Sequence, residues 1–191
     1  MTQAQPRALI LIDMQTGFDS PVWGARNNPD AESNAARLLA HWRARDRPIF
    51  HVRHLSADPA SPLASGQPGT AFKPEAMPRA GETVVEKTVN SAFIGTDLAA
   101  QLHAIGSRDL VICGLTTPHC VSTTTRMAAN LGFEVMLAHD ACAAFARNAD
   151  MSWKPRAHAM EAQTIHDSAI AHLHGEFASA RTTSDILQHG G

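Results

Sequence analysis

Asp109-Leu110-Val111-Ile112-Cys113-Gly114, followed by Leu115-Thr116-Thr117-Pro118-His119-Cys120, is the stretch on which the fold turns. An apolar run bounded by Asp109 and Gly114 reads as a strand buried on both faces. Pro118 then opens a helix that runs to Leu131 and stops at Gly132. The same alternation extends in both directions. Upstream, Thr83–Lys87 reads as a strand and Thr96–Ile105 as a helix, with Thr96 as cap and Leu98, Leu102 and Ile105 on one side. Further upstream, Ala8–Ile12 is a strand ending at Asp13. Asn28-Pro29-Asp30 reads as an N-cap, a first-turn proline and a first-turn acid. Ala31, Ala35, Leu38, Leu39 and Trp42 then recur at helical spacing, and Pro48–Arg53 is the next strand. Downstream, Phe133–Ala138 is a strand, Pro155–Leu173 is mostly helical and Phe177–Thr182 is a sixth strand. Strand and helix alternating in this way specify a three-layer α/β/α domain around a parallel sheet. No repeat or linker divides residues 1–191, so one domain is expected. Leu55–Glu82, rich in proline and glycine, is the one long irregular stretch. It is either a surface excursion or an active-site wall or subunit contact.

The chain has 191 residues, 44% of them hydrophobic and 18% charged, with a net charge of −2. That balance lacks the basic excess of a nucleic-acid or anionic-membrane binder. No apolar run approaches the roughly 20 residues needed to span a bilayer. The stretch Met1 to Arg7 lacks the basic start and apolar core of a signal peptide. Three cysteines without CxxC spacing suit neither a disulfide scaffold nor a zinc ribbon, and fit a reducing cytoplasm.

In open α/β sheets, ligands bind beyond the carboxyl ends of the strands. Asp13 follows the first strand, His51-Val52-Arg53-His54 ends the second, Lys87 ends the third, Cys120 lies in the turn after the fourth and Asp140 follows the fifth, so an acid, a cation and a thiol land on one edge of the sheet. With Thr117 as N-cap, Cys120 falls at the third helical position. There the free N–H groups and the positive end of the helix dipole favour a thiolate. Cys113, inside a strand, and Cys142, in an apolar run, are read as core.

Asp13 in Leu11-Ile12-Asp13-Met14-Gln15, Lys87 after the third strand, and Gly114-Leu115-Thr116-Thr117-Pro118-His119-Cys120-Val121 together resemble the isochorismatase-like cysteine hydrolase family. The similarity continues through Arg126–Phe133 to Asp140 and covers Ala8 to about Thr183. The family includes nicotinamidases, carbamoyl-amide hydrolases, ureidoacrylate-type hydrolases and isochorismatases. The resemblance implies a Rossmann-like, six-stranded parallel sheet and an Asp13–Lys87–Cys120 triad. It also implies a cis peptide between Leu115 and Thr116, oxyanion donors on the N–H groups of Thr116 and Cys120, and a homo-oligomer, dimer or tetramer.

The residue types suit the chemistry without the family. Lys87 lowers the thiol pKa and holds Asp13, and Asp13 moves the proton between sulfur, leaving amine and water. The expected activity is hydrolysis of a linear amide or related C–N bond of a small molecule through a thioester. The alternatives are vinyl-ether hydrolysis with Asp13 as acid, or a retired binding protein of the same fold. No cofactor is required. Eleven histidines invite a metal, but the Asp-x-His pattern of nicotinamidases is missing from His51-Val52-Arg53-His54. His51 and His54 also point to opposite faces of a regular strand, so no metal site is expected. Candidate substrate contacts are Gln15, Phe18, Trp23, Arg53, His54, Asn90, Phe93 and His119, with Phe18 and Phe93 equally readable as core. No G-x-G-x-x-G follows the first strand, which excludes a dinucleotide-binding turn.

Overall fold

The computed structural model describes residues 6–190. The first five residues, most of the stretch read as lacking a signal peptide, lie outside the described residues. Among the described residues six strands are present: β1 Ala8–Ile12, β2 Ile49–His54, β3 Thr83–Lys87, β4 Asp109–Leu115, β5 Glu134–Ala143 and β6 Ser179–Arg181. They pair in parallel in the order β3-β2-β1-β4-β5-β6. The helices are α1 Ala31–Arg43, α2 Leu98–Ala104, α3 Ser122–Asn130, α4 Ala162–Ala171 and the single turn α5 Thr183–Asp185. The arrangement is a three-layer α/β/α sandwich. Among the described residues no helix is long and apolar enough to cross a membrane.

Burial follows position in the sheet. Every residue of central β1 is buried, as is every residue of β4 after Asp109. That is why both strands read as unbroken apolar runs. Edge strand β3 instead alternates, with Val85 and Lys87 buried and Val84 and Glu86 exposed. Helix α1 buries Ala31, Ala35, Leu38, Leu39 and Trp42 against β1, β4 and β5. β1 and β4 must pass closely, and Gly114 permits it. A Cβ there would lie 2.1 Å from the Ile12 carbonyl oxygen, and its φ of +133° suits only glycine.

Several boundaries differ from the sequence expectation for physical reasons. Asp30, not Asn28, precedes α1. Asn28 has a φ of +42° and donates from Nδ2 to the carbonyls of His139 and Cys142, at 3.2 and 2.7 Å. β5 is longer than Phe133–Ala138 because it bulges: Ile112 faces Leu137, but Gly114 faces Cys142. Asp140 therefore lies inside the strand, and its Oδ1 accepts from the Thr183 N–H and hydroxyl. Only Ala162–Ala171 of the Pro155–Leu173 stretch is helical, α2 stops before the exposed Ile105, and β6 is three residues long.

The long stretch Leu55–Glu82 packs onto the segment that follows β1. Phe72 bridges to Gln15, the Thr16 N–H donates to Ala71, and the Lys73 N–H donates to Met14. Gly69 packs against Pro62 and Gly17 so closely that a Cβ on it would meet the Pro62 carbonyl oxygen at 2.2 Å and the Gly17 Cα at 2.8 Å. Lys73, buried, pairs with Asp19 and with Glu32 at 3.2 Å. The stretch is a wall beside the carboxyl end of β1 rather than a free excursion.

Candidate active site

The strand order reverses between β1 and β4, which opens a crevice at their carboxyl ends. Asp13 stands there, one residue past β1, fully buried and with a φ of +51°. Aspartate is among the few residues that tolerate this left-handed backbone. The Asp13 N–H continues the sheet by donating to Val52, at 3.0 Å. Lys87 closes β3 and His54 closes β2, and the two are register partners. Parallel pairing of adjacent strands thus delivers the cation and the imidazole side by side.

The nucleophile candidate comes from the turn after β4. The Leu115–Thr116 peptide bond is cis. Thr117–Val121 forms a π-helical turn ahead of α3, with Thr116 rather than Thr117 at the cap position. The Thr117 hydroxyl does not cap; it lies 2.9 Å from Nδ1 of the buried His166 on α4. Cys120 therefore sits one residue further into the turn than expected. The Thr116 carbonyl accepts from the N–H groups of His119 and Val121 and passes over that of Cys120 between them.

The Lys87 ammonium is the hub. Its Nζ lies 2.6 Å from Asp13 Oδ2, 3.0 Å from His54 Nδ1 and 3.3 Å from Cys120 Sγ. Asp13, His54 and Cys120 offer ligand atoms within 4.8 Å of one another, a grouping that resembles a metal site. Here a protein cation already bonds to all three residues. The remaining carboxylate oxygen, Asp13 Oδ1, is buried and has no hydrogen-bond partner. Burial raises the Asp13 carboxyl above its ordinary range despite Lys87. Burial and the facing Asp13 push the Cys120 thiol up to about 12, again against Lys87. At this sulfur desolvation therefore works against the helix position and the cation that favour a thiolate. Cys113 and Cys142 are fully buried core, as their sequence context indicated, while Cys120 retains 8% exposure.

The other expected contacts divide. Asn90 Oδ1 lies 3.8 Å from Cys120 Sγ. The segment carrying it is tied down by buried Thr124, whose hydroxyl accepts from Ala92 and donates to Asn90, a pairing without a local sequence signal. His119 adjoins the sulfur in sequence and is exposed. Gln15 is wholly committed to the scaffold. Its Nε2 donates to the carbonyls of His54 and Thr70, and its Oε1 accepts the His54 N–H. Phe18 is core, 5.2 Å from the Trp23 ring and 5.9 Å from Phe145. Half-buried Trp23 donates its indole N–H to Gly17. Phe93 stacks on Phe133. Arg53 pairs with Glu86 and lies over the Phe72 ring.

Residues 7–183 match the isochorismatase domain. The chain is 42% identical over 184 residues to the isochorismatase family protein YrdC of Bacillus subtilis, covering 96% of this chain and 95% of that protein. It is 30% identical to a maleamate amidohydrolase of Pseudomonas putida over 149 residues, 70% of each. The crystal structure of an isochorismatase-family hydrolase from Chromobacterium violaceum superposes with a TM-score of 0.90 at 46% identity, covering 97% of this chain and 94% of that one.

Proposed function

The chain belongs to the isochorismatase family of hydrolases, and on that premise we propose that it cleaves a linear amide or related C–N bond of a small molecule through a thioester on Cys120. One observation carries the reading. Lys87 holds Oδ2 of Asp13 beside the Cys120 sulfur and leaves Oδ1 buried without a partner. A carboxylate arranged in this way is a proton acceptor for the thiol.

With the thiol neutral at rest, attack is coupled to proton transfer. Asp13 takes the thiol proton as sulfur bonds to the substrate carbonyl carbon. The N–H groups of Thr116 and Cys120 receive the developing oxyanion. Asp13 returns the proton to the nitrogen, the C–N bond breaks, and an amine or ammonia leaves. Water then gives a proton to Asp13 and attacks the thioester, and the thiol leaves with that proton. Lys87 remains an ammonium throughout and offsets the charge that moves between carboxylate and sulfur. The scheme uses no metal or cofactor. The amide-cleaving activity in the name of the Pseudomonas relative supports the reaction class. A cytoplasmic location, which rests on the three unpaired cysteines, and a dimer or tetramer, which rests on the family resemblance, belong to the same proposal.

The test is a screen of small carboxamides, ureides and carbamoyl compounds read by ammonia release. Turnover of at least one class is expected. Turnover of isochorismate with none of the amides would replace this reading by vinyl-ether hydrolysis.

A further inference from the structure

An ammonium has three hydrogens, and Lys87 has three acceptors: Asp13 Oδ2, Cys120 Sγ and His54 Nδ1. The first two belong to the reaction scheme and the third does not. We infer that His54 is a positioning residue of this site: its Nδ1 takes the third hydrogen of Lys87 and so fixes the ammonium between carboxylate and sulfur. The inference rests on the reading of Lys87 as part of the reacting group.

Three features of the molecule support it. The first is the backbone of His54, which is clamped on both sides by the Gln15 amide, so the ring leaves β2 from a fixed point. The second is register, which places His54 opposite Lys87 at the ends of adjacent strands. The third is tautomer. Burial and the neighbouring Lys87 hold His54 below the ordinary imidazole range, in keeping with a ring that accepts from the ammonium at Nδ1. A neutral ring accepting at Nδ1 carries its proton on Nε2. The groups facing the ammonium are Asp13 beyond β1, His54 from β2 and Cys120 from the turn after β4. With all three hydrogens engaged, Lys87 has none to offer a substrate carbonyl, so the oxyanion falls to backbone donors.

Removing the acceptor leaves a buried N–H of a cation without a partner, which frees the ammonium to move from its place between carboxylate and sulfur. A displaced ammonium stabilises negative charge on the sulfur less well. Iodoacetamide labelling of Cys120 at one fixed pH, followed by peptide mass analysis, reads this without any substrate. His54→Leu is expected to slow labelling about tenfold or more, the effect of one hydrogen bond to a charged group. His54→Asn, whose Oδ1 replaces Nδ1 as acceptor, is expected to recover most of the rate. A wild-type rate in His54→Leu, or no recovery in His54→Asn, would overturn the inference. Should the variants not fold, 15N spectra of histidine-labelled wild-type protein decide. Near pH 7.5, His54 is expected to be protonated on Nε2 alone; a proton on Nδ1 overturns the assignment. Neither readout needs amide turnover, so failure of the proposed reaction stays distinguishable from failure of the His54 role.

Discussion

β2 carries two histidines three residues apart, and each belongs to a cluster built around an acid from a different part of the chain, half-buried Glu82 for His51 and buried Asp13 for His54. His54 looks toward the Asp13–Lys87–Cys120 cluster. His51 lies 2.8 Å from Glu82, which also accepts two hydrogen bonds from the Arg43 guanidinium, at 2.7 and 2.9 Å, and one from the Arg79 N–H. The two acids respond in opposite directions. Glu82, with donors on both oxygens, is held down at about 2. Asp13, with one oxygen bonded and the other buried and unpartnered, is raised. Full satisfaction fixes a carboxylate as a structural anion, whereas partial satisfaction in a dry site leaves it ready to take a proton.

The largest effect should come from breaking the reactive cluster. On an amide substrate, Cys120→Ala and Asp13→Asn are each expected to lower kcat by about 10³-fold or more, because nucleophile and proton carrier act as one unit. Both proteins should retain the wild-type far-UV circular dichroism, since alanine in a helical turn costs little and asparagine keeps the carboxylate's shape. A Cys120→Ala enzyme that keeps most of its turnover while Asp13→Asn is dead would assign the chemistry to acid catalysis by Asp13 instead.

The anchoring cluster should fail in stability and leave catalysis intact. Glu82→Gln leaves Arg43 without its charged partner and is expected to cost about 1–2 kcal/mol in urea unfolding at pH 7, with kcat within about twofold of wild type. The pH dependence carries a sign. Glu82 has a folded pKa lowered to about 2 from an ordinary 4.5. Its contribution is therefore fully present above about pH 4.5 and is lost as pH falls from there toward 2. Wild-type stability should drop across that window, and the Glu82→Gln curve should be flatter. Parallel curves would show that Glu82 is not the titrating anchor. Asp13, whose folded pKa is raised, has the opposite linkage: it binds its proton more tightly when folded and contributes nothing to the acid-side loss.

How much of this was legible in sequence depends on how local the cause is. β1 and β4 could be read because a strand covered on both faces must be apolar throughout. That Asp13, Lys87 and Cys120 meet could be read because strand ends share one edge of a parallel sheet. The π-helical turn could not, since the Thr117 hydroxyl that was expected to cap it bonds to His166, 49 residues away. Asn28 looked like a cap because nothing nearby announces the β5 bulge that its amide fastens. Gln15 resembled a substrate contact by its place after Asp13, while its partners arrive from His54 and Thr70. For His54, the signal was present in the pattern of strands. It ends β2 as Lys87 ends β3, and parallel neighbours of equal reach bring their last residues together.

The smallest expected effect is none, and it sharpens the comparison most finely. Asp13, His54 and Cys120 have the residue types and the spacing of a transition-metal site. A metal there would need one ring nitrogen of His54, the sulfur of Cys120 and a carboxylate oxygen of Asp13 as ligands. Lys87 already donates to Nδ1, to the sulfur and to Oδ2, from 3.3 Å or less. A divalent ion in the same space would lie beside a buried ammonium, with repulsion magnified by the low dielectric. Prolonged dialysis against EDTA and 1,10-phenanthroline is therefore expected to leave kcat unchanged, and added zinc should not raise it. Loss of turnover on chelation, restored by a transition ion, would mean that Lys87 yields its place to a metal. The same cluster would then be a metal centre rather than a thiol, an acid and a protein cation.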